Sequence, residues 1–497
     1  MKGNYLTPFI LSIDAGTTGV TIVLLKENGQ VLKKYYQEFT QYYPHPGWVE
    51  HDGEEIWDVT CNLIRSAFQE YSPTDCAAMG IANQRETTII WNRKTGDAIY
   101  NAIVWQCRRT QEICKKLKEA GHGNLFGLKT GLVIDCYFSG TKIKWLLDHI
   151  ERAREDAQKG NLAFGTIDSW LLWKLTGNSV HATDYTNASR TMIFNIDEKI
   201  WDEELLAILD IPVNLLPEVK NSSGEFGKTD EKLFGVSIPI TGIAGDQQAA
   251  LYGQGCFERG ESKCTYGTGC FLLTNTGNNR INSTSGLLTT IACNAEGKPA
   301  YALEGSVFIG GAVIQWLRDE IQLLSSSSES EKMSLSVDHS NGVVIVPAFT
   351  GLGAPYWDME ARGIITGLTR GSNRNHIVRA ALESIAFQVN DLLDSVSSDL
   401  DFNIPALQVD GGATANNFLM QFQSDILQMK INRPKNIEST ALGVGMLAGI
   451  GSGLWSNRKQ LTLSGSTSTV FKPSMETKTR TDLLTAWEQA VQQTVNT

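Results

Sequence analysis

The apolar positions gather first into short β-rich runs. Phe9-Ile10-Leu11-Ser12-Ile13 and Thr21-Ile22-Val23-Leu24-Leu25 flank a Gly/Thr turn, Asp14-Ala15-Gly16-Thr17-Thr18-Gly19. Asn28-Gly29 before Val31-Leu32 adds a second hairpin through a dipeptide that favours positive φ, so three antiparallel strands are predicted to open the chain. Trp57, Cys61, Ile64 and Phe68 then recur at helical spacing and predict a helix from Glu54 to Tyr71. Met79-Gly80-Ile81-Ala82 and Thr87-Thr88-Ile89-Ile90-Trp91 read as further strands. Strands alternating with helices predict an α/β sheet covered on its faces.

Near residue 250 the pattern begins again. Ser262-Lys263-Cys264-Thr265-Tyr266, Gly267-Thr268-Gly269 and Phe271-Leu272-Leu273-Thr274 echo the opening hairpin and predict a second α/β domain of similar plan. The serine-rich stretch Leu324 to Lys332 reads as a solvated loop, and Asp482 to Gln493 as a closing helix. The length of 497 residues accommodates two large α/β units, for which we expect residues 1–253 and 254–497.

Composition narrows the chemistry. Apolar residues at 42% and charged residues at 20% describe a globular chain and exclude disorder. A net charge of −11 repels nucleic acid and anionic membranes, so neither is expected as a partner, and an anionic ligand would need local donors or a metal. No apolar run is long enough for a membrane helix, and Met1-Lys2-Gly3-Asn4-Tyr5 does not begin a signal peptide, so a cytoplasmic location without membrane insertion is expected. The nine cysteines form no Cys-x-x-Cys pair and have no clustered histidines, which points to free thiols in a reducing compartment.

Two glycine motifs invite misreading. Gly227-Lys228-Thr229 resembles the end of a P-loop, but Ser222 stands where its first glycine belongs. Gly443-Val444-Gly445 resembles a dinucleotide fingerprint without a preceding strand or a downstream acid, and close helix packing explains it better.

Three other turns carry more chemistry. In Asp14 to Gly19, two glycines let backbone N–H groups converge on an anion, the hydroxyls add uncharged donors, and an aspartate at a strand end can hold Mg²⁺. Alone it equally fits an ordinary hairpin turn. Gly267-Thr268-Gly269 supplies a second such turn, and Asp410-Gly411-Gly412-Ala413-Thr414-Ala415-Asn416 a third. Together they predict a nucleotide held between two domains.

Several longer stretches resemble the FGGY carbohydrate kinases, and within them the members that phosphorylate glycerol. They include Asn83-Gln84-Arg85-Glu86-Thr87-Thr88, Trp105-Gln106-Cys107-Arg108-Arg109-Thr110, Tyr137-Phe138-Ser139-Gly140-Thr141-Lys142, Asp184 to Thr191, Gly245-Asp246-Gln247-Gln248-Ala249-Ala250, Phe349 to Asp358 and Asp410 to Asn417. The resemblance spans about residues 8 to 455. It implies an α/β fold of two ribonuclease-H-like domains of the actin/hexokinase type, with mixed sheets flanked by helices and an interdomain cleft. It also implies ATP as phosphoryl donor, glycerol as acceptor, Mg²⁺ as cofactor and a homo-oligomer, a dimer or tetramer.

By the same resemblance, Arg85, Glu86, Tyr137, Asp246 and Gln247 would bind glycerol, with Trp105 and Phe271 as apolar walls and Asp246 as general base. Paired donors and acceptors with aromatic rings suit an uncharged triol. Thr17, Thr18, Gly19, Thr268, Gly311, Gln315, Gly412 and Asn416 would hold the nucleotide, and Asp14 and Asp246 the metal. Gly310-Gly311 before Ala312 reads as a helix start near phosphate. Thr21 stands where many relatives carry arginine, which leaves open a catalytically weakened homologue. A kinase for another polyol or sugar, or a nucleotide switch, would share the turns; the switch would give the Arg85, Glu86, Asp246 and Gln247 set no role.

Overall fold

The computed structural model describes residues 8–435, 438–456 and 469–495; the stretch Met1 to Tyr5 read above for a leader lies outside them. The first half builds a mixed six-stranded sheet from β1 (Phe9–Ala15), β2 (Gly19–Lys26), β3 (Val31–Glu38), β4 (Cys76–Asn83), β5 (Ser223–Lys228) and β6 (Pro239–Gly245). Its spatial order is β5-β6-β4-β1-β2-β3, with β1–β2–β3 antiparallel and β4 parallel to both β1 and β6. The second half builds a seven-stranded sheet from β7 (Ser262–Tyr266), β8 (Cys270–Gly277), β9 (Leu288–Cys293), β10 (Pro299–Val307), β11 (Leu407–Asp410), β12 (Ile431–Arg433) and β13 (Thr469–Phe471), in the order β9-β10-β8-β7-β11-β12-β13.

The two sheets repeat one plan. In each, a Gly/Thr turn joins an antiparallel pair, β1–β2 or β7–β8, and the first strand of that pair lies parallel to a later strand, β4 or β11. The turns close alike: the Gly16 N–H donates to the Gly19 carbonyl at 3.0 Å and the Gly267 N–H to the Gly269 carbonyl at 2.9 Å. The echo read near residue 250 is therefore a structural repeat. Strands β1 and β2 are buried almost throughout because helices cover both sheet faces, which is why their sequences are continuous apolar runs rather than alternations.

The helices used below are α1 (Gly53–Glu70), α2 (Ser139–His149), α3 (Ile167–Leu175), α4 (Asp246–Gly253), α5 (Ala312–Asp319), α6 (Glu329–Leu335), α7 (Arg374–Asp399), α8 (Asn417–Leu427), α9 (Ser439–Gly451) and α10 (Thr477–Val495). Helix α1 starts where the Asp52 side chain accepts the Glu54 N–H at 2.9 Å, with Glu54 and Glu55 favourably placed in the first turn. Its Cys61 and Ile64 are buried, while Trp57 and Phe68 pack at the edge of the same core.

Helix α9 comes from the second half of the chain but lies on the first sheet, against β1, β4 and β6, beside α4. Glycine makes this approach possible. A Cβ on Gly443 would stand 1.8 Å from the Ala249 carbonyl oxygen, and one on Gly445 2.3 Å from Ser12 Oγ. The fingerprint-like glycines are thus packing residues, and the Gly227-Lys228 dipeptide lies at the end of strand β5. Among the described residues no helix is long and apolar enough to cross a membrane.

The serine-rich stretch departs from expectation. Its second part is helix α6, with Ser330 and Ser334 buried. Ser325 bonds the Glu329 side chain through both its N–H and its hydroxyl, and Ser330 Oγ donates to the Ser327 carbonyl at 2.6 Å. Small side chains, with the hydroxyls of Ser325 and Ser330 satisfied locally, let the helix seat against α7 and α8, a tertiary effect that composition alone conceals. The closing helix α10 is longer than read, and Trp487 docks it by stacking on Phe387 at 5.4 Å and donating to Asp391 Oδ2 at 2.8 Å.

Overpacking the α4–α9 contact should be costly. Gly443→Ala is expected to lower stability by about 1–3 kcal/mol, read as a lower urea midpoint. Gly123→Ala, whose added methyl meets open space, should stay within about 0.5 kcal/mol.

Candidate active site

The cleft between the two sheets holds two adjoining cavities. The smaller, about 160 Å³, is lined by Thr17, Arg85, Glu86, Trp105, Tyr137, Asp246, Gln247 and Phe271 together with the second Gly/Thr turn. The larger, about 430 Å³, is lined by Gly311, Gln315, Gly412 and Asn416 and by an apolar wall of Ile314, Leu382 and Ile385. Gly267 and Thr268 line both. The residues expected to touch the small molecule therefore converge on one chamber, and five of the eight expected at the nucleotide on the other. Thr17 faces the small chamber, whereas Thr18, Gly19 and Asp14 line neither.

The small chamber has aromatic walls. Trp105 sits edge-on to Tyr137 at 5.6 Å and to Phe271 at 5.9 Å, and its Nε1–H donates to Thr17 Oγ1 at 3.0 Å. Tyr137 is held from behind by Lys142 of α2, whose buried ammonium donates to the Tyr137 carbonyl at 2.5 Å. Burial lowers the Lys142 pKa to about 8.

The polar floor is a buried charge network. Arg85 and Glu86, each 2% exposed, are not a surface pair. Glu86 adopts φ 60, a left-handed backbone uncommon for a side-chain-bearing residue. Its carbonyl is pinned by Thr88 Oγ1 at 3.0 Å and Ser139 Oγ at 3.1 Å, and its carboxylate accepts Arg190 Nε at 2.6 Å. Arg85 donates from Nη1 and Nη2 to Glu304 at 2.6 and 2.9 Å, and its Nε lies 3.3 Å from Asp246 Oδ1. Arg190 Nη2 also reaches Glu304, at 3.0 Å. Burial raises the Glu86 carboxyl against the opposing Arg85 and Arg190. For Glu304 burial works in the same direction, but Arg190 and Arg85 outweigh it and hold the pKa at about 2. Desolvation raises Asp246, opposed by Arg85 and Lys263.

Three members of this network were not read from the sequence. Arg190 lies inside one of the quoted stretches. Glu304 and Lys263 are lone charges in strands that are otherwise apolar or weakly polar, and both are completely buried. A charge that a sheet buries must have partners, and that was the available signal. Lys263 bonds Gln247 Oε1 and reaches Thr265 Oγ1 at 2.8 Å.

The first turn is braced from behind. Gln84 donates its backbone N–H to the Ala15 carbonyl at 2.8 Å and its side-chain amide to the Gly16 carbonyl at 3.0 Å. Gln41 donates to the Thr17 carbonyl at 3.0 Å and contacts His51 Nε2 at 2.7 Å. Burial lowers His51 to about 3, so this ring is neutral. The helix start at Gly310-Gly311 has a different task from the one expected. The N–H groups of Gly310, Gly311 and Ala312 donate to the carbonyls of Gly267 and Thr268, so they anchor the second turn instead of pointing at a ligand.

A divalent cation fits the acidic side of the cleft. Partial burial and the charges of Asp246, Glu438 and Asp410 push Asp14 up to about 8, and Asp410 Oδ1 is buried without a partner. Among the described residues no three His, Cys, Asp or Glu form an all-protein cage. Mg²⁺ suits such a place, because it takes one or two carboxylates and completes its shell with water and phosphate oxygens.

Comparison with known proteins agrees with this geometry. Residues 9–253 match the N-terminal domain of the FGGY family of carbohydrate kinases, and residues 262–452 match its C-terminal domain. The chain is 56% identical over 486 residues to a glycerol kinase of Carboxydothermus hydrogenoformans, covering 97% of each chain. It is 54% identical to one of Thermoanaerobacter pseudethanolicus, covering 98% of each. Among solved structures it resembles Plasmodium falciparum glycerol kinase with ADP, at 39% identity, a TM-score of 0.90 and 98% coverage of both chains. A xylulose kinase of Lactobacillus acidophilus, at 23% identity and a TM-score of 0.86, shares the fold.

Asp14 offers a test of the electrostatics. Folded and free of ligand, it keeps its proton up to about pH 8, whereas an unfolded chain releases it near ~3.9. Between those values the native state binds the extra proton, so this group's contribution to stability falls as pH rises. Asp14→Asn removes that slope. Its ligand-free melting temperature should exceed that of the wild type above about pH 8 and converge with it near about pH 4, measured by thermal unfolding across pH.

Proposed function

The chain belongs to the FGGY family of carbohydrate kinases, and on that premise we propose that it transfers the terminal phosphoryl group of ATP to a primary hydroxyl of glycerol, giving sn-glycerol 3-phosphate. The carrying observation is the small chamber itself. It has room for a three-carbon molecule, aromatic walls, a guanidinium, an amide and two carboxylates, and it shares Gly267 and Thr268 with a larger cavity of nucleotide size.

In this reading Arg85 and Gln247 donate to the triol, Glu86 and Asp246 accept from it, Tyr137 adds a hydroxyl, and Trp105 and Phe271 pack on its carbons. The turn carrying Thr17, Thr18 and Gly19 would meet phosphate from the first lobe, with Thr17 its member that lines a cavity. Thr268, Gly311, Gln315, Gly412 and Asn416 hold the nucleotide from the second, with Ile314, Leu382 and Ile385 against its apolar part. Asp14 and Asp246 would hold Mg²⁺, which when bound neutralises phosphate charge. Transfer to an alcohol depends on alignment and charge neutralisation more than on covalent help. Asp246 takes the proton of the attacking hydroxyl; its raised affinity for protons suits that role. Thr21 lies opposite Asp14 in the β1–β2 register and brings no charge. Lys263 and Arg85 supply the positive charge.

Residues 1–253 would form the acceptor lobe with the first turn, and 254–497 the lobe carrying most of the nucleotide site, a division supported by the separate sheets. A cytoplasmic location suits nine cysteines that are all buried and outside any disulfide. A homo-oligomer is carried over from the family resemblance.

Asp246→Asn is expected to cut glycerol-dependent ADP release by about 10²–10⁴-fold, while calorimetry still detects ATP binding; turnover within a few-fold of wild type would remove Asp246 from the mechanism. A panel of glycerol, propanediol, erythritol and xylulose tests the acceptor. A site that pairs each hydroxyl should reject propanediol by about 10⁴–10⁵ in kcat/KM, and a preference for the sugar would point to another member activity.

A further inference from the structure

Among the described residues, the charged side chains that line the acceptor chamber, Arg85, Glu86 and Asp246, all come from the first lobe, while Phe271 and the second Gly/Thr turn close it from the second. Arg85, among the described residues the only guanidinium lining the chamber, commits both terminal nitrogens to Glu304, a carboxylate on β10 of the second sheet. Glu304 does not line the chamber, so it does not touch the acceptor. It is completely buried, and its Oε1 also accepts Arg190 Nη2 at 3.0 Å and Ser306 Oγ at 3.2 Å. Arg190 in turn holds Glu86, the chamber's other carboxylate beside Asp246.

We infer that Glu304 is a positioning residue for the acceptor: it fixes Arg85 and, through Arg190, Glu86 in the poses that meet the hydroxyls, so that the charged groups one lobe brings to the pocket are held in place by a carboxylate of the other. The inference rests on the glycerol-phosphorylating reading above. Charge accounting supports it. Arg85 and Arg190 are balanced by Glu86 and Glu304, which leaves Asp246 facing Arg85 only through Nε at 3.3 Å. Without the Glu304 charge, two buried guanidiniums would compete for Glu86 and Asp246. Arg85 would turn its free N–H groups toward Asp246, and both acids would be drawn away from the substrate. A rigid fork held at both terminal nitrogens cannot make that turn. Gln248 adds a weaker brace of the same kind, accepting Arg85 Nη1 at 3.2 Å while its amide nitrogen donates to the Ile291 carbonyl on β9 at 3.1 Å.

The test is steady-state kinetics of the full chain with glycerol and ATP varied separately. Glu304→Gln, which keeps the shape and removes the charge, is expected to raise the KM for glycerol by about 10- to 100-fold while the KM for ATP moves by less than about twofold. Glu304→Asp, which restores the charge, should recover part of the loss. A purely structural role would lower the melting temperature and the active fraction and leave both KM values alone. An unchanged glycerol KM, or glycerol and ATP KM rising together, overturns the inference. Where Glu304→Gln does not fold, Glu304→Asp decides by the same split, and failure of both to fold assigns the residue to stability alone. Wild-type protein assayed alongside separates the two levels: no glycerol-dependent ADP release in the wild type removes the functional reading, whereas an active wild type with an indifferent Glu304→Gln removes only this one.

Discussion

Burying charge is the constraint around which this molecule is organised. Arg85, Glu86, Arg190 and Glu304 lie at the junction of the lobes with almost no access to water. Desolvating an ion costs several kcal/mol, and close partners with good geometry are what offset it. That requirement dictates local structure. It draws Arg190 from the loop after residues 185–188, Glu304 from β10, and Glu86 from the turn after β4 in a left-handed backbone. The aromatic rings of Tyr137 and Phe138 cover the Arg190 guanidinium at 5.4 and 5.2 Å, which keeps water out and adds cation–π attraction.

The two Gly/Thr turns gain their meaning from the repeat of the sheet. Each turn sits at the end of a hairpin whose first strand is clamped on its other edge by a parallel neighbour. Their carbonyls are occupied from behind: Gln84 and Gln41 hold the first turn, and the N-terminus of α5 holds the second. Polar side chains and a helix start thus make two short loops rigid, and the cleft is shaped before any ligand arrives.

Much of this was legible in the sequence, and the exceptions share one cause. Periodicity located the opening hairpins, α1 and the second hairpin, because strands buried on both faces and an amphipathic helix leave strong local patterns. The chamber residues were legible because long motifs such as Asn83 to Thr88 carry them. Arg190 and Glu304 were not, because their roles arise from partners 100 or more residues away, and Lys263 was not, because its partner Gln247 sits on helix α4 outside its own strand. The serine-rich stretch was misread for the same reason: its serines resemble a loop until α7 and α8 supply a surface to pack on. Gly310-Gly311 shows the reverse case, a correct helix start whose donors turned out to be engaged by Gly267 and Thr268.

Helix α9 has a consequence for how the chain comes into being. The sheet begun at residue 9 receives its cover from residues 439–451, near the far end of the polypeptide. During synthesis, at roughly 5–20 residues per second, the ribosome must add nearly the whole remaining chain before that sheet face can be sheltered. The early half is therefore born with a bare oily surface, an invitation to chaperones or to wrong neighbours, and maturation of the first lobe waits on the last segments to emerge.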